Sequence, residues 1–174
     1  FRLRRFCYQT FFEFVFCGSR ESVCHCCDWI QHHYGHLSSE YLSLLDQMVR
    51  RDITEQDAPV FFPTSLYRHI DDAGFEDQVR FRNETIYQIT KLFDGNMKAV
   101  TWDKKKRDDF LNILERQFEN LKSCVSPAKK PERRLKRYFK ELNRKNYSAQ
   151  AWELIRKETR RHLQRLDIFK AKIH

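Results

Sequence analysis
The most restrictive feature of this chain is how little backbone punctuation it carries. Gly and Pro number four each in 174 residues, under about 5% of the chain where average proteins have about 12%. Turn-rich all-β folds, collagen-like repeats and low-complexity tracts all need far more of both. The eight fall at Gly18, Gly35, Pro59, Pro63, Gly74, Gly95, Pro127 and Pro131. Between them apolar residues recur at spacings of three and four, the period of helices with one buried face.

Between these marks the chain predicts an all-α bundle of about five helices. After Gly35, Ser38 is the expected N-cap and Glu40 a first-turn acid for a helix striped by Tyr41, Leu44, Leu45 and Met48. After Gly74 the stripe is Val79, Ile86, Ile89 and Phe93. Thr101 is the expected cap of a third helix carrying Phe110, Leu114, Phe118, Leu121 and Val125. Beyond Pro131 come Leu135, Tyr138, Phe139 and Leu142. Ser148 then caps a helix with Trp152, Ile155, Thr159, Leu163, Leu166 and Phe169 on one side. A short helix is expected over Leu66 to Ile70. The Val60-Phe61-Phe62 run is too short for a strand between Pro59 and Pro63. The long segment from Asp52 to Gly74 predicts an overhand crossover between parallel helices rather than a tight hairpin.

Charge is distributed unevenly. The chain has 33 Lys and Arg against 24 Asp and Glu, a formal +9. Residues 129–174 hold 16 of these bases and 5 of these acids, whereas residues 1–128 hold 17 and 19. The excess belongs to the C-terminal quarter, which admits nucleic acid, heparan-type polyanions, membranes or an acidic protein as partners. In the last helix Arg156, Lys157, Arg160, Arg161 and Arg165 form a basic flank beside the apolar stripe. In the preceding one Arg133, Arg134, Lys136, Arg137 and Lys140 cover the exposed surface. The alternative at both is a merely solvated face. Nucleic-acid surfaces interleave exposed aromatics, whereas Tyr138, Phe139 and Trp152 fall on core stripes. No 18-residue apolar run exists to make a spanning helix.

The N-terminal residues differ from the rest. Arg2, Arg4 and Arg5 precede an aromatic run from Phe11 to Cys17, interrupted by Glu13, in the order of a secretory signal; the alternative is an unpacked leader. Five cysteines, Cys7, Cys17, Cys24, Cys26 and Cys27, lie here and Cys124 stands alone downstream. The cluster with His25, His32, His33 and His36 lacks the paired spacing of a zinc site. In an oxidising compartment a bridge from the cluster to Cys124 closes a loop of about 100 residues, worth about 4–5 kcal/mol on the entropic account. Two sequons, at Asn83 and Asn146, accord with secretion.

Catalytic grammar is missing. No P-loop, GxGxxG, GxSxG or HExxH pattern occurs. The adjacent pairs Asp71-Asp72 and Asp108-Asp109 would diverge by about 100° on a helix, so they read as solvated helix ends. The chain is expected not to be an enzyme and to need no cofactor, metal or small-molecule substrate.

Several runs taken together resemble a known family. Cys27-Asp28-Trp29, Leu42-Ser43-Leu44-Leu45-Asp46-Gln47-Met48 and Phe62-Pro63 are similar to the mature start, first helix and following loop of type I interferons. Glu76-Asp77-Gln78-Val79, Leu121-Lys122-Ser123-Cys124-Val125 and Arg137-Tyr138-Phe139 continue the likeness. So does Tyr147-Ser148-Ala149-Gln150-Ala151-Trp152-Glu153, the most specific of these runs. The ending Arg161-His162-Leu163-Gln164-Arg165-Leu166-Asp167 resembles the fish interferons of the two-cysteine group.

The resemblance implies a secreted antiviral cytokine with an up-up-down-down bundle and a long overhand first loop. It implies a leader over 1–26, a helical domain over 27–174, and a Cys27–Cys124 disulfide. A second bridge found in many relatives would need a cysteine at Gln150, so one bridge is expected. The partner implied is a two-chain class II cytokine receptor engaged by a monomer and signalling through JAK–STAT; the basic C-terminal quarter separately suggests heparan sulfate as a further partner. By position, Arg50, Arg51, Arg156, Lys157, Arg160 and Arg161 would meet the high-affinity chain, and Glu84, Gln88 and Lys136 the second. Between Phe139 and Trp152 the chain is about four residues shorter than its relatives, shortening the fourth long helix by about 6 Å. The other readings the residues leave open are a basic module for nucleic acid or heparan sulfate and a non-secreted variant of the same family.

Overall fold
A computed structural model describes residues 25–49, 60–95, 97–122, 132–145 and 148–168, with the backbone alone for 25–35. These residues form six helices and no strand: α1 (His25–Gln47), α2 (Thr64–Asp71), α3 (Phe75–Phe93), α4 (Lys104–Lys122), α5 (Arg133–Asn143) and α6 (Ala149–Ile168). Five are long, as the periodicity predicts, and α2 is the expected short one.

The helix starts show where local chemistry decides and where packing overrides it. Ser148 Oγ accepts from the Ala151 N–H at 3.0 Å, the cap expected for α6. Thr101 does not cap α4. Asp103, two residues later, accepts from the Lys106 N–H at 3.1 Å, and its carboxylate also offsets Lys104, Lys105 and Lys106 at the positive end of the helix. Ser38 is no cap either, because α1 begins at His25 and runs through Gly35, leaving Ser38 buried in its interior. An interior glycine costs a helix about 1 kcal/mol, less than packing Tyr41, Leu45 and Met48 returns. Gln78 on α3 closes the far end of α2, its Nε2 lying 3.2–3.3 Å from the carbonyls of Ile70, Asp71 and Ala73.

Side-chain pairs give the direction of each helix. Tyr41 meets Asp167 and Asp46 meets Arg156, so α1 and α6 are antiparallel. Phe93 faces Phe110 while Tyr87 faces Phe118, so α3 opposes α4. Arg82 reaches Leu166 while Phe93 reaches Trp152, so α3 also opposes α6. Helices α1 and α3 therefore run together against α4 and α6, the expected up-up-down-down arrangement. Two successive long helices pointing the same way need a connection that returns along the bundle.

Helix α6 lies at the centre. Trp152, Leu154, Ile155, Leu163 and Leu166 are buried on it, and so are Glu153, Glu158, Thr159 and His162. Near its N-terminus Trp152 packs with Phe93 and Trp102. Nearly three turns on, His162 is ringed by Phe62, Tyr138 and Phe139 at centroid distances of 4.7–5.0 Å. Its Nδ1 is 2.6 Å from Tyr67 Oη, and its Nε2 is buried without a hydrogen-bond partner among the described residues. Tyr138 donates to Glu158 Oε2 at 2.6 Å; burial and then this bond push its phenol pKa up.

Burial, helped by the nearby Arg161 charge, lowers the His162 pKa from 6.5 to about 3. The unfolded chain then binds this proton and the native chain does not. The stability tied to neutral His162 is complete above pH 6.5 and declines as pH falls toward 3. Between pH 7.5 and 5 this group removes about 2 kcal/mol of unfolding free energy. Chemical denaturation at the two pH values should show that decline, and H162Q should lack it; an equal decline in H162Q would assign it to other groups. Ser148→Ala should cost about 1 kcal/mol, read as a lower denaturation midpoint; an unmoved midpoint would show the cap to be idle.

Candidate functional site
The basic flank of α6 is built against α1. Arg156 is a largely covered fork, donating to Glu153 through Nε (2.9 Å) and Nη2 (2.5 Å), with Nη1 3.4 Å from Asp46 Oδ1. Arg160, one turn on, donates to the other oxygen of Asp46. Asp46 thus holds two guanidinium groups across the α1–α6 seam. Its side chain is 46% exposed and that of Arg160 36%, so the outer pair contributes about 0–1 kcal/mol. Lys157 lies between them in sequence and is exposed.

Arg161 points another way. Its guanidinium carbon sits 4.3 Å over the Phe62 ring, and Nη1 is 3.8 Å from Glu158. Phe62 in turn stacks on Tyr67 at 5.1 Å, so Arg161 fastens the residues just before α2 onto α6. Arg165 bonds Asp71 at 2.5 Å. Asp71 is therefore an ion-pair partner with a side chain 19% exposed, not the solvated helix end expected. Arg50 and Arg51 lie outside the described residues.

The second group of predicted residues does come together. Glu84 Oε1 accepts from Gln88 Nε2 at 2.8 Å and lies 3.9 Å from Lys136 Nζ, joining α3 to α5. Beside them is a feature that sequence reasoning missed. Tyr87, 36% exposed, stacks on Phe118 of α4 at 5.4 Å, with Lys91 5.4 Å from the Tyr87 ring centre and Lys122 5.9 Å from that of Phe118. The signal was readable: Tyr87 lies off the stripe of Ile86, Ile89 and Phe93, where an aromatic has no place in the core.

These surfaces occupy different sides of the bundle. Helix α1 packs on α4 and α6, and α3 packs on α4, α5 and α6. The α1–α6 seam and the α3–α4 edge are thus opposite edges of the four-helix core. Asn83 is half-buried in α3 with its amide oxygen enclosed, and the Thr85 hydroxyl of its sequon donates to the Phe81 carbonyl at 2.8 Å. Asn146, Cys124 and the leader to residue 24 lie outside the described residues, as do the side chains of Cys26 and Cys27.

Comparison with known proteins bears on what these surfaces serve. The interferon alpha/beta domain model matches residues 30–173. The chain is 76% identical to interferon a3 of Oncorhynchus mykiss over 166 residues, covering 92% of this chain and 94% of that protein. It is 29% identical to horse interferon alpha-1, over 82% of this chain and 86% of the other. In three dimensions it is similar to zebrafish interferon 1, with a TM-score of 0.72, 38% identity, and coverage of 83% of this chain and 98% of that one. With a family model spanning nearly all the described helices, and a fish relative alike over more than nine-tenths of both chains, this chain belongs to the type I interferons, the interferon alpha/beta family.

Proposed function
We propose that the protein is a secreted antiviral cytokine that joins two different chains of a class II cytokine receptor and so starts JAK–STAT induction of antiviral genes. Members of its family are cytokines rather than enzymes. The observation that carries the finer reading is the pair of chemically distinct patches on opposite edges of one core. The α1–α6 seam offers Arg160 and Lys157 around Asp46, with Arg50 and Arg51 following α1 in sequence. The α3–α4–α5 side offers Glu84, Gln88 and Lys136 around the exposed Tyr87 ring. Aromatics of this kind dominate interface energies, and an Arg-rich face suits an acidic partner that it steers and orients.

In this reading residues 1–26 are removed, Cys27 and Cys124 form one disulfide, Asn83 and Asn146 are the sugar acceptors, and the active form is a monomer. A polyanion-binding alternative is favoured by one observation, the basic surface of α5, and is compatible with cytokine action.

Three outcomes test the proposal. Oxidised protein spanning 27–174, added to fish cells at nanomolar dose, should induce antiviral genes; silence overturns the reading. Arg160→Ala and Tyr87→Ala should each weaken capture by one receptor chain, not the same one, by about tenfold or more. Their thermal midpoints should stay within a few degrees of the parent, and equal loss toward both chains would contradict the two-patch assignment. Intact mass of the secreted form should rise by about 2 Da on reduction, the two hydrogens of one disulfide, and an unchanged mass removes the Cys27–Cys124 bridge.

A further inference from the structure
The cations of α6 are largely consumed by carboxylates, and those of α5 are not. Arg156, Arg160, Arg161 and Arg165 pair with Glu153, Asp46, Glu158 and Asp71. On α5, Arg134 pairs with its own cap Glu132 and Lys136 with Glu84. Arg133, Arg137, Lys140 and Arg144 are all exposed and have no ion pair among the described residues. Their spacings of four, three and four place them within about 60° of one another on the helix, in a row about 16 Å long. Leu135, Tyr138, Phe139 and Leu142, all buried, occupy the opposite face, so packing turns the row squarely to solvent.

We propose that this row is a binding site for a sulfated glycosaminoglycan lying along α5. The inference rests on the reading that the protein acts outside the cell, where such chains are met. A straight row of separate point charges suits a linear polyanion with repeated sulfates. The row contains no apolar residue to form the centre of a protein interface or to enter a bilayer. It contains no aromatic on which bases would stack; Phe61, 91% exposed, borders it on one flank only. There Val60, Phe61, Arg134, Arg137, Tyr138, Glu141 and Lys145 line a hollow of about 370 Å³, whose apolar floor and basic rim suit the ring face and acidic groups of one sugar unit. Glu141 is the carboxylate on that rim.

The test titrates the folded chain with a heparin octasaccharide, N-desulfated heparin and single-stranded DNA of matched charge at several salt concentrations. Heparin should bind tightest. R137Q/K140Q should weaken it about tenfold or more and flatten the logarithmic salt dependence by roughly 1.5, two contacts' worth. The control K104Q/K105Q removes the same charge from the exposed start of α4 and should change affinity less than about twofold. Equal loss in both variants, or DNA binding as tight as heparin, reduces the effect to net charge and overturns the proposal. Gene induction is then measured on cells lacking heparan sulfate. R137Q/K140Q should act there like the parent; a selective loss makes α5 a receptor surface and overturns the glycan site while leaving the cytokine reading intact. A parent protein silent on every cell would overturn the cytokine reading and leave the heparin titration standing.

Discussion
Burying α6 on nearly all its sides takes Glu153, Glu158, Thr159 and His162 out of water together with its apolar residues. A buried polar group without a partner costs about 1–3 kcal/mol, and a charge costs more. The neighbouring helices meet much of that demand, while Thr159 Oγ1 and His162 Nε2 stay buried without a hydrogen-bond partner among the described residues. Helix α2 supplies Tyr67 to His162, α5 supplies Tyr138 to Glu158, and α3 supplies Arg82 to the Leu166 carbonyl at 2.8 Å. Each bond joins a different helix to the same central one. Apolar packing alone tolerates sliding and repacking, whereas a one-turn slip of α2 or α5 along α6 would break a hydrogen bond at a buried site. The polar residues of α6 thereby set the register of the bundle.

The same demand sorts the basic residues. On α6 a cation near the core must find a carboxylate, and Asp46, Asp71, Glu153 and Glu158 serve the four arginines. On α5 a single apolar stripe leaves the other faces in water, where a lysine or arginine needs no partner. Among the described residues, positive charge is thus expressed chiefly from α5 and the start of α4, and it is muted along the α1–α6 seam. Long-range attraction of an anionic partner would act from the first surfaces, while a partner at the seam would be held by directed bonds at contact.

Most of the fold was legible because the helices are amphipathic and the Gly and Pro marks are few. The stripes of α3 and α5 are buried, as are those of α4 and α6 apart from the half-buried Phe118 and from Val125 and Phe169, which lie outside the described residues, and Ser148 caps as its type and place suggest. Two other caps were misread for a physical reason. A side chain caps only if the following N–H groups are free, and tertiary packing decides that: α1 continues through Gly35 and Ser38, and Asp103 displaces Thr101. The candidate surfaces were legible in composition but not in pairing. Glu84, Gln88 and Lys136 meet because α5 docks on α3, which local spacing cannot encode, and Asp46 opposite Arg156 and Arg160 is a contact 110 or more residues apart. Tyr87 was visible as an aromatic off its stripe.

The four α6 residues carried over by family position are not equivalent in what they can offer a partner. Arg156 has a side chain only 11% exposed and a bidentate bond to Glu153, so its guanidinium is already satisfied and largely covered. Arg161 is open to solvent, but its planar group lies on Phe62, and moving it would loosen the segment that enters α2. Arg160 and Lys157 remain. Arg160 shares Asp46 with Arg156, so it can turn to a carboxylate on another protein while Asp46 keeps its second partner. Under the proposed receptor reading, recognition at this seam would be cheapest by exchange, an incoming acid replacing Asp46 at Arg160. The fold would then stay closed because Asp46 keeps Arg156 across the α1–α6 seam.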